Sequence, residues 1–175
     1  LTPMWFTLWW PFWWWSGAPK LRVAEAGDAQ ALSLIHAQGF AHPWSAMTIE
    51  SMLAERTIAS HVIAASSPEG FIIARCVADE AEIITVAVAR ASRGKGYGRR
   101  LLDASLDELV RRRVRRVFLE VEAENAAAIH LYRQAGFERI GQRRGYYRQA
   151  DGSRRDAVTM ALNLESRPLV PALDG

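Results

Sequence analysis

The stretch that most constrains the fold runs from Ile84 to Val110. Ile84-Thr85-Val86-Ala87-Val88 has the look of a strand, Arg93-Gly94-Lys95-Gly96-Tyr97-Gly98 follows, and Leu101, Leu102, Leu106, Leu109 and Val110 then recur at helical spacing. Alternating glycines between a strand and a helix let backbone come close to a ligand, and the unpaired N–H groups at a helix start form a ready anion site. A phosphate-bearing ligand is implied. Spacing separates the motifs that share this physics. A dinucleotide fingerprint needs glycine at 99, where Arg99 stands, and a Walker loop needs Ser or Thr after Gly-Lys, where Gly96 stands. The pattern present is Arg-x-x-Gly-x-Gly.

The rest of the chain reads as strands and helices around this unit. Asp28 is placed to cap a helix carrying Leu32, Leu34 and Ile35 and ending near Gly39. After the turn His42-Pro43-Trp44-Ser45, Ser45 is placed to cap a second helix with Met47, Ile49, Met52 and Leu53. Two helices thus precede the first expected strand. Thr57 to Ala65 and Phe71 to Val77 read as a hairpin about Ser66-Ser67-Pro68-Glu69-Gly70, and Glu82 to Val88 as a third strand. Val114 to Val121 is the next strand, Asn125 caps a short helix through Tyr132 to Gly136, and Phe137 to Arg143 with Ala157 to Leu162 close the sheet.

At 175 residues the chain is one domain long, with half its residues hydrophobic and 23% charged, which excludes a disordered or fibrous class. A single cysteine, Cys76, permits no internal disulfide, makes a reducing compartment the default and leaves no CxxC pair for zinc. A net charge of +3 does not by itself require nucleic acid. The Arg-rich run Arg111 to Arg116 falls where an amphipathic helix should end, and cations there offset the helix dipole.

Further segments give the glycine loop a family context: Leu119-Glu120-Val121, Asn125-Ala126-Ala127-Ala128-Ile129, Leu131-Tyr132, Gly136-Phe137, Arg143-Arg144-Gly145-Tyr146-Tyr147 and, upstream, His42-Pro43-Trp44-Ser45. With the loop, and in this order, they resemble the GNAT superfamily of acetyl-CoA-dependent N-acetyltransferases, in particular ribosomal-protein-alanine N-acetyltransferases of the RimI type. The resemblance covers Leu21 to Leu162. It implies an α/β (α+β) GNAT fold: a mixed, strongly twisted sheet flanked by helices, with acetyl-CoA in a notch between two splayed parallel strands. Gly145 departs from the pattern, since close relatives often carry Asn there.

Attack on a thioester needs an uncharged amine, a group to take its proton and a donor for the departing thiolate; a carboxylate and a phenol suit the last two roles. Alternation along Val114 to Val121 sets Glu120 on the face opposite Val117, Leu119 and Val121. By the resemblance, Glu120 is the base and Tyr132 the acid, against plain readings as a solvated or ion-paired carboxylate and as core packing. The resemblance also sets the backbone of Val86, Ala87 and Val88 against the pantetheine arm and acetyl carbonyl. Arg93, Gly94, Lys95, Gly96, Tyr97, Gly98 and Arg99 surround the pyrophosphate, and Asn125 lies near a pantetheine amide, with helix capping an equal alternative. Trp44, Tyr146 and Tyr147 are candidate walls of the acceptor pocket, or ordinary edge packing. Glu122 and Glu124 are candidates to receive a basic peptide, or a solvated strand end. No metal is implied by the four scattered histidines.

An α-amine titrates near 7.7–8.0 and a lysine amine near 10.4, so a single carboxylate acting through water suffices for the former. The expected activity is therefore acetyl transfer from acetyl-CoA to the N-terminal α-amine, alanine foremost, of a small-subunit ribosomal protein in the cytoplasm. Alternatives are another amine (a lysine, a polyamine, an aminoglycoside), a non-catalytic acetyl-CoA-binding module, or an RNA-associated domain using Arg111 to Arg116. Three segments are expected: a Trp-rich extension over 1–20, the acetyltransferase domain over 21–164 and a tail over 165–175. The extension holds eight of the seventeen aromatic residues between Trp5 and Trp15, carries no charge before Lys20, and is broken by Pro3 and Pro11. It fits neither a secretory signal nor a spanning helix. With Leu1 rather than Met at its start, the extension is expected to have no essential role; docking to a partner or second copy, and contact with lipid, are the alternatives.

Overall fold

The apolar runs of the sequence pair into a single sheet. The structure, a computed structural model, describes residues 18–148 and 152–165. Its elements are β1 (Lys20–Val23), a 3-10 turn (Ala26–Asp28), α1 (Ala29–Ala37), α2 (Ala46–Leu53), β2 (Ile58–Ala64), β3 (Pro68–Val77), β4 (Glu80–Val88), a second 3-10 turn (Arg90–Ser92), α3 (Tyr97–Arg111), β5 (Arg116–Glu122), α4 (Ala126–Gln134), β6 (Glu138–Arg148) and β7 (Arg154–Asn163). The described strands lie in the order β1-β2-β3-β4-β5-β7-β6. Neighbours are antiparallel except β4 and β5, the two strands joined through α3.

Both faces of the centre are covered, which is why β2 and β3 carry continuous runs of buried residues rather than alternating ones. Beneath one face α3 sets Leu101, Leu102, Leu106 and Leu109 against Ile63, Ile72, Leu119 and Met160. All four helix leucines are fully buried, and each contributes about 2 kcal/mol through its apolar area. On the other face Leu32, Ile35 and Ile49 of α1 and α2 pack with Val62, Phe71 and Ile73. Leu34 and Met47, on the same helices, point to solvent.

Several sequence expectations need correction. A strand does precede the two helices: β1 pairs with β2 at the sheet edge, and its four exposed residues, Lys-Leu-Arg-Val, carry no burial signal. Asp28 stands at the N-cap position of α1 as expected, but its side chain makes no cap hydrogen bond there; the carboxylate accepts from both Arg22 guanidinium nitrogens at 2.7 Å and from the Glu25 amide at 2.9 Å. The hairpin turn is shorter than expected because Pro68 opens β3, a position that needs no N–H donor. β5 starts at Arg116, after Arg113 turns through a positive φ of 63°. The Trp-rich segment before residue 18 and the tail beyond Glu165 lie outside the described residues.

Two irregularities shape the functional region. The register of β3 against β4 passes from Ile73↔Thr85 to Ala74↔Ile83, leaving Ile84 unopposed, and such a bulge bends a strand and increases its twist. At this residue β4 leaves β5: their parallel ladder runs only from Glu80↔Arg116 to Ile83↔Leu119. Beyond it, β4 continues with β3 alone and β5 with β7 alone, so a notch opens between them.

Candidate active site

The notch has one wall of open backbone. Val86, Ala87 and Val88 pair with Ile72, Phe71 and Gly70 of β3, and the side of β4 turned toward β5 has no strand partner there. An extended amide-bearing chain can pair with such an edge. At the mouth of the notch, Gly94 and Gly96 have φ of 75° and 78°, and Gly96 is the N-cap of the fifteen-residue α3. A Cβ at Gly96 would meet nothing within 4 Å, so glycine serves backbone conformation and ligand approach there. Gly98 differs: it lies within α3, and a Cβ on it would stand 3.4 Å from Leu131 of α4.

The cations of this loop are tethered. Arg93 Nε donates to Val88 O at 3.2 Å, and Lys95 Nζ lies 3.9 Å from Glu69 and 5.9 Å from the Tyr97 ring centre. Arg99 reaches Asp103 at 2.6 Å and the Gln134 carbonyl at 3.3 Å, which ties the start of α3 to the end of α4. Asn125 Oδ1 accepts from the Ala128 amide at 3.1 Å, so the capping role is present. Ser45 caps α2 in the same way through Thr48 N.

Glu120 is the first residue of β5 past the last pair with β4, so its position on the strand is the opening of the notch. Its face is opposite the buried Leu119 and Val121, as alternation required. The β6 strand gathers around it: Arg143 Nη1 donates to Glu120 Oε1 at 2.8 Å, and Tyr147 Oη donates to the Glu120 carbonyl at 3.1 Å. Hydrogen bonding to Glu120 also raises the Tyr146 phenol above its ordinary pKa. Burial, aided by the charge of Glu120, pushes Tyr147 up to about 12. Tyr132 is buried against Phe137, ring centres 5.8 Å apart, and burial pushes its phenol up to about 12. It remains a proton donor throughout the range in which proteins work.

The sequence treated Tyr146 and Tyr147 as pocket walls and missed that they and Arg143 bind Glu120. A bulge explains this. Between Arg143↔Ala157 and Tyr147↔Arg155, three residues of β6 face Asp156 alone. Asp156 accepts from Gln142 Nε2 at 2.7 Å and from the Gly145 amide at 2.9 Å. Gly145 has a φ of +57°, a left-handed conformation that glycine adopts without steric cost and that Asn also tolerates.

On the far side of the sheet from α3, Trp44 is held by the end of α1. Its amide donates to His36 Nδ1 at 3.2 Å, its carbonyl accepts from Ser33 at 2.8 Å, and its ring stacks 4.4 Å from His36. Phe40 stacks on His36 at 4.0 Å, and burial lowers the imidazole to about 4. Glu122 and Glu124, considered as receivers of a basic peptide, both pair with Arg155. In the run 111–116, Arg111 and Arg112 pair with Glu108, Arg115 pairs with Glu165, and Arg116 lies over the Phe118 ring. A cavity of about 580 Å³ between α4 and the β6–β7 ribbon is lined by Ala123, His130, Arg133, Arg139 and Gln142 among others. Neither Glu120 nor Tyr132 lines it, so it is distinct from the notch.

Comparisons with known proteins agree with this geometry. The chain is 40% identical over 138 residues to the [ribosomal protein bS18]-alanine N-acetyltransferase of Escherichia coli K12, covering 79% of this chain and 93% of that one. The crystal structure of the ribosomal-protein-S18-alanine N-acetyltransferase from Escherichia coli superimposes with a TM-score of 0.76 at 36% identity, covering 83% of this chain and 93% of that one. Arabidopsis thaliana NAA60, solved with acetyl-CoA, shares the fold, with a TM-score of 0.75 at 19% identity over 84% of this chain and 99% of that one. The sequence profile of the acetyltransferase (GNAT) family matches residues 12–137, and with a notch, a glycine-rich helix start and a strand carboxylate in the arrangement just described, the chain belongs to that family.

Proposed function

We propose that the protein transfers the acetyl group of acetyl-CoA to the N-terminal α-amine, alanine foremost, of a small-subunit ribosomal protein in the cytoplasm. The observation that carries this reading is the position of Glu120, one residue beyond the end of the β4–β5 ladder, with the glycine-rich start of α3 at the same opening. The relatives named for bS18-alanine acetylation, at up to 40% identity over most of the chain, support the choice of acceptor.

The residues fit acetyl-CoA in chemical type. The start of α3, with Gly94 and Gly96 and the cations Arg93 and Lys95, suits a pyrophosphate. The open edge of Val86, Ala87 and Val88 suits the pantetheine amides, with the Asn125 region alongside. Acetyl-CoA supplies an activated thioester carbonyl. Glu120, through water, takes the proton of the acceptor amine; the N–C bond forms and the C–S bond breaks, and Tyr132 gives its proton to the departing thiolate. Trp44, Tyr146 and Tyr147 border the acceptor side. Among the described residues no helix is long and apolar enough to cross a membrane.

Mass spectrometry of acetyl transfer to synthetic peptides beginning Ala, Ser or Met tests the reading. The expected product is acetylated at the α-amine, with Ala first in rate. Transfer confined to internal lysines, or to polyamines, would overturn the acceptor assignment while leaving the family intact.

A further inference from the structure

The Glu120 carboxylate carries a cation that the reaction as written does not use. Arg143 Nη1 stands 2.8 Å from Oε1, and the guanidinium lies over the Tyr146 ring at 4.1 Å from its centre. Arg143 is 57% exposed while Glu120 is 18% exposed, so an otherwise solvent-facing side chain is drawn to a largely covered carboxylate. Its place is built by the bulge of β6, which Asp156 pins through Gly145 and Gln142.

We propose that Arg143 is a positioning residue of the acceptor site: it occupies one oxygen of Glu120, leaves the other for the acceptor, and by its charge favours the neutral, nucleophilic form of the incoming amine. This rests on the reading of Glu120 as the base. An amine within hydrogen-bond reach of the second oxygen stands within about 6 Å of the guanidinium, and like charges at that range favour loss of a proton. Docking of the acceptor excludes water and strengthens the effect. Arginine suits the task because it stays charged at every working pH, and Tyr146 adds a cation–π contact that keeps it in place.

Among the described residues, Tyr146 and Tyr147 of β6 both feel the charge of Glu120; Glu82 of β4 bears on Tyr146, and Tyr132 of α4 and Glu122 of β5 bear on Tyr147, Glu122 being held by Arg155. The phenols are neutral at working pH, so Arg143 is the cation in contact with Glu120. The consequence is selectivity. A tenfold push toward the neutral form leaves an α-amine, normally near 7.7–8.0, mostly uncharged at pH 7.5, and leaves a lysine amine near 10.4 still charged. Arg143 thereby sharpens the preference for a chain terminus over a side chain.

The test is the pH dependence of kcat at saturating Ala-initiated peptide and acetyl-CoA, for the wild type, Arg143→Gln and Arg143→Lys, with acetyl-CoA affinity and circular dichroism as controls of folding. The acid limb of kcat, which reports the bound complex, is expected to move up by about one pH unit in Arg143→Gln and to return in Arg143→Lys. The limb of kcat/KM set by the free peptide amine should stay in place. An unmoved kcat limb in Arg143→Gln, or a Lys variant that behaves like Gln, overturns the proposal. So does a lower peptide KM with an unmoved limb, which would make Arg143 a mere competitor for Glu120. A Glu120→Gln variant with wild-type kcat refutes the base itself. A slowed Glu120→Gln beside an unmoved Arg143→Gln limb refutes only the part given to Arg143.

Discussion

Two buried aromatic side chains, a phenol and an imidazole, show how much a single position can carry. Tyr132 packs on Phe137, and burial keeps its proton up to about pH 12. Tyr132→Phe preserves ring and packing, so calorimetry should find acetyl-CoA affinity little changed while kcat falls by about 10²–10⁴. A wild-type rate, measured where chemistry limits turnover, would return Tyr132 to a packing role. His36 acts on stability. Its pKa falls from the usual 6.5 to about 4 because burial disfavours the imidazolium. The folded protein therefore binds fewer protons than the unfolded chain between those values. The resulting stability is present above pH 6.5 and is lost as pH falls toward 4. Urea midpoints from pH 7 to pH 4 should decline steeply in the wild type and less so in His36→Phe, which keeps the stack between Phe40 and Trp44. An equal decline would place the acid sensitivity elsewhere.

Elements were legible where periodicity and punctuation agree. α3 announced itself through leucines at helical spacing, and Ser45 and Asn125 marked two helix starts through their capping chemistry. β1 was not legible, since four exposed residues at a sheet edge have no pattern to read. The β6 bulge has one local signal, the isolated Gly145 within a strand pattern, but the residue that pins it, Asp156, lies on the next strand and leaves no mark in Arg143 to Tyr147. The glycine loop is legible as the connection between a strand and a helix, yet its glycines are unequal. At Gly96 a side chain meets open space but a left-handed backbone, which costs about 1–2 kcal/mol for other residues. Gly96→Val is expected to weaken acetyl-CoA at least tenfold by calorimetry with the fold retained, and unchanged affinity would remove the loop from the pyrophosphate site. Gly98→Ala, whose new carbon touches Leu131 at ordinary contact distance, should alter affinity by no more than about threefold. A larger loss would show that Gly98 also meets the ligand.

Across the whole molecule, the boundary near residue 20 becomes a question of the first strand. β1 begins at Lys20, Arg22 pairs with Asp28, and Arg100 Nη2 donates to the Pro19 carbonyl at 3.3 Å. Deleting 1–17 should therefore leave acetyl transfer and monodispersity intact, whereas deleting 1–24 removes β1 and bares the edge of β2. Light scattering should then detect self-association in the longer deletion. Lost transfer in a monodisperse 18–175 protein would mean that the Trp-rich segment completes the site.

The short ladder between β4 and β5 has a mechanical consequence. Four ladder pairs, backed by the leucines of α3 packed across both halves, join β1–β4 on one side to β5, β7 and β6 on the other, as the spine of a book joins its covers. Acetyl-CoA lying in the fold would touch both covers, so a small change of angle at the spine, with no loss of structure in either board, is the expected response to its binding. Hydrogen exchange should report this as slower exchange on ligand binding at the amides of Val86 to Val88 and Glu120 to Glu122, with Ile83 and Leu119 already slow in the free protein. Uniform slowing over the whole sheet would instead mean that the covers move as one plate.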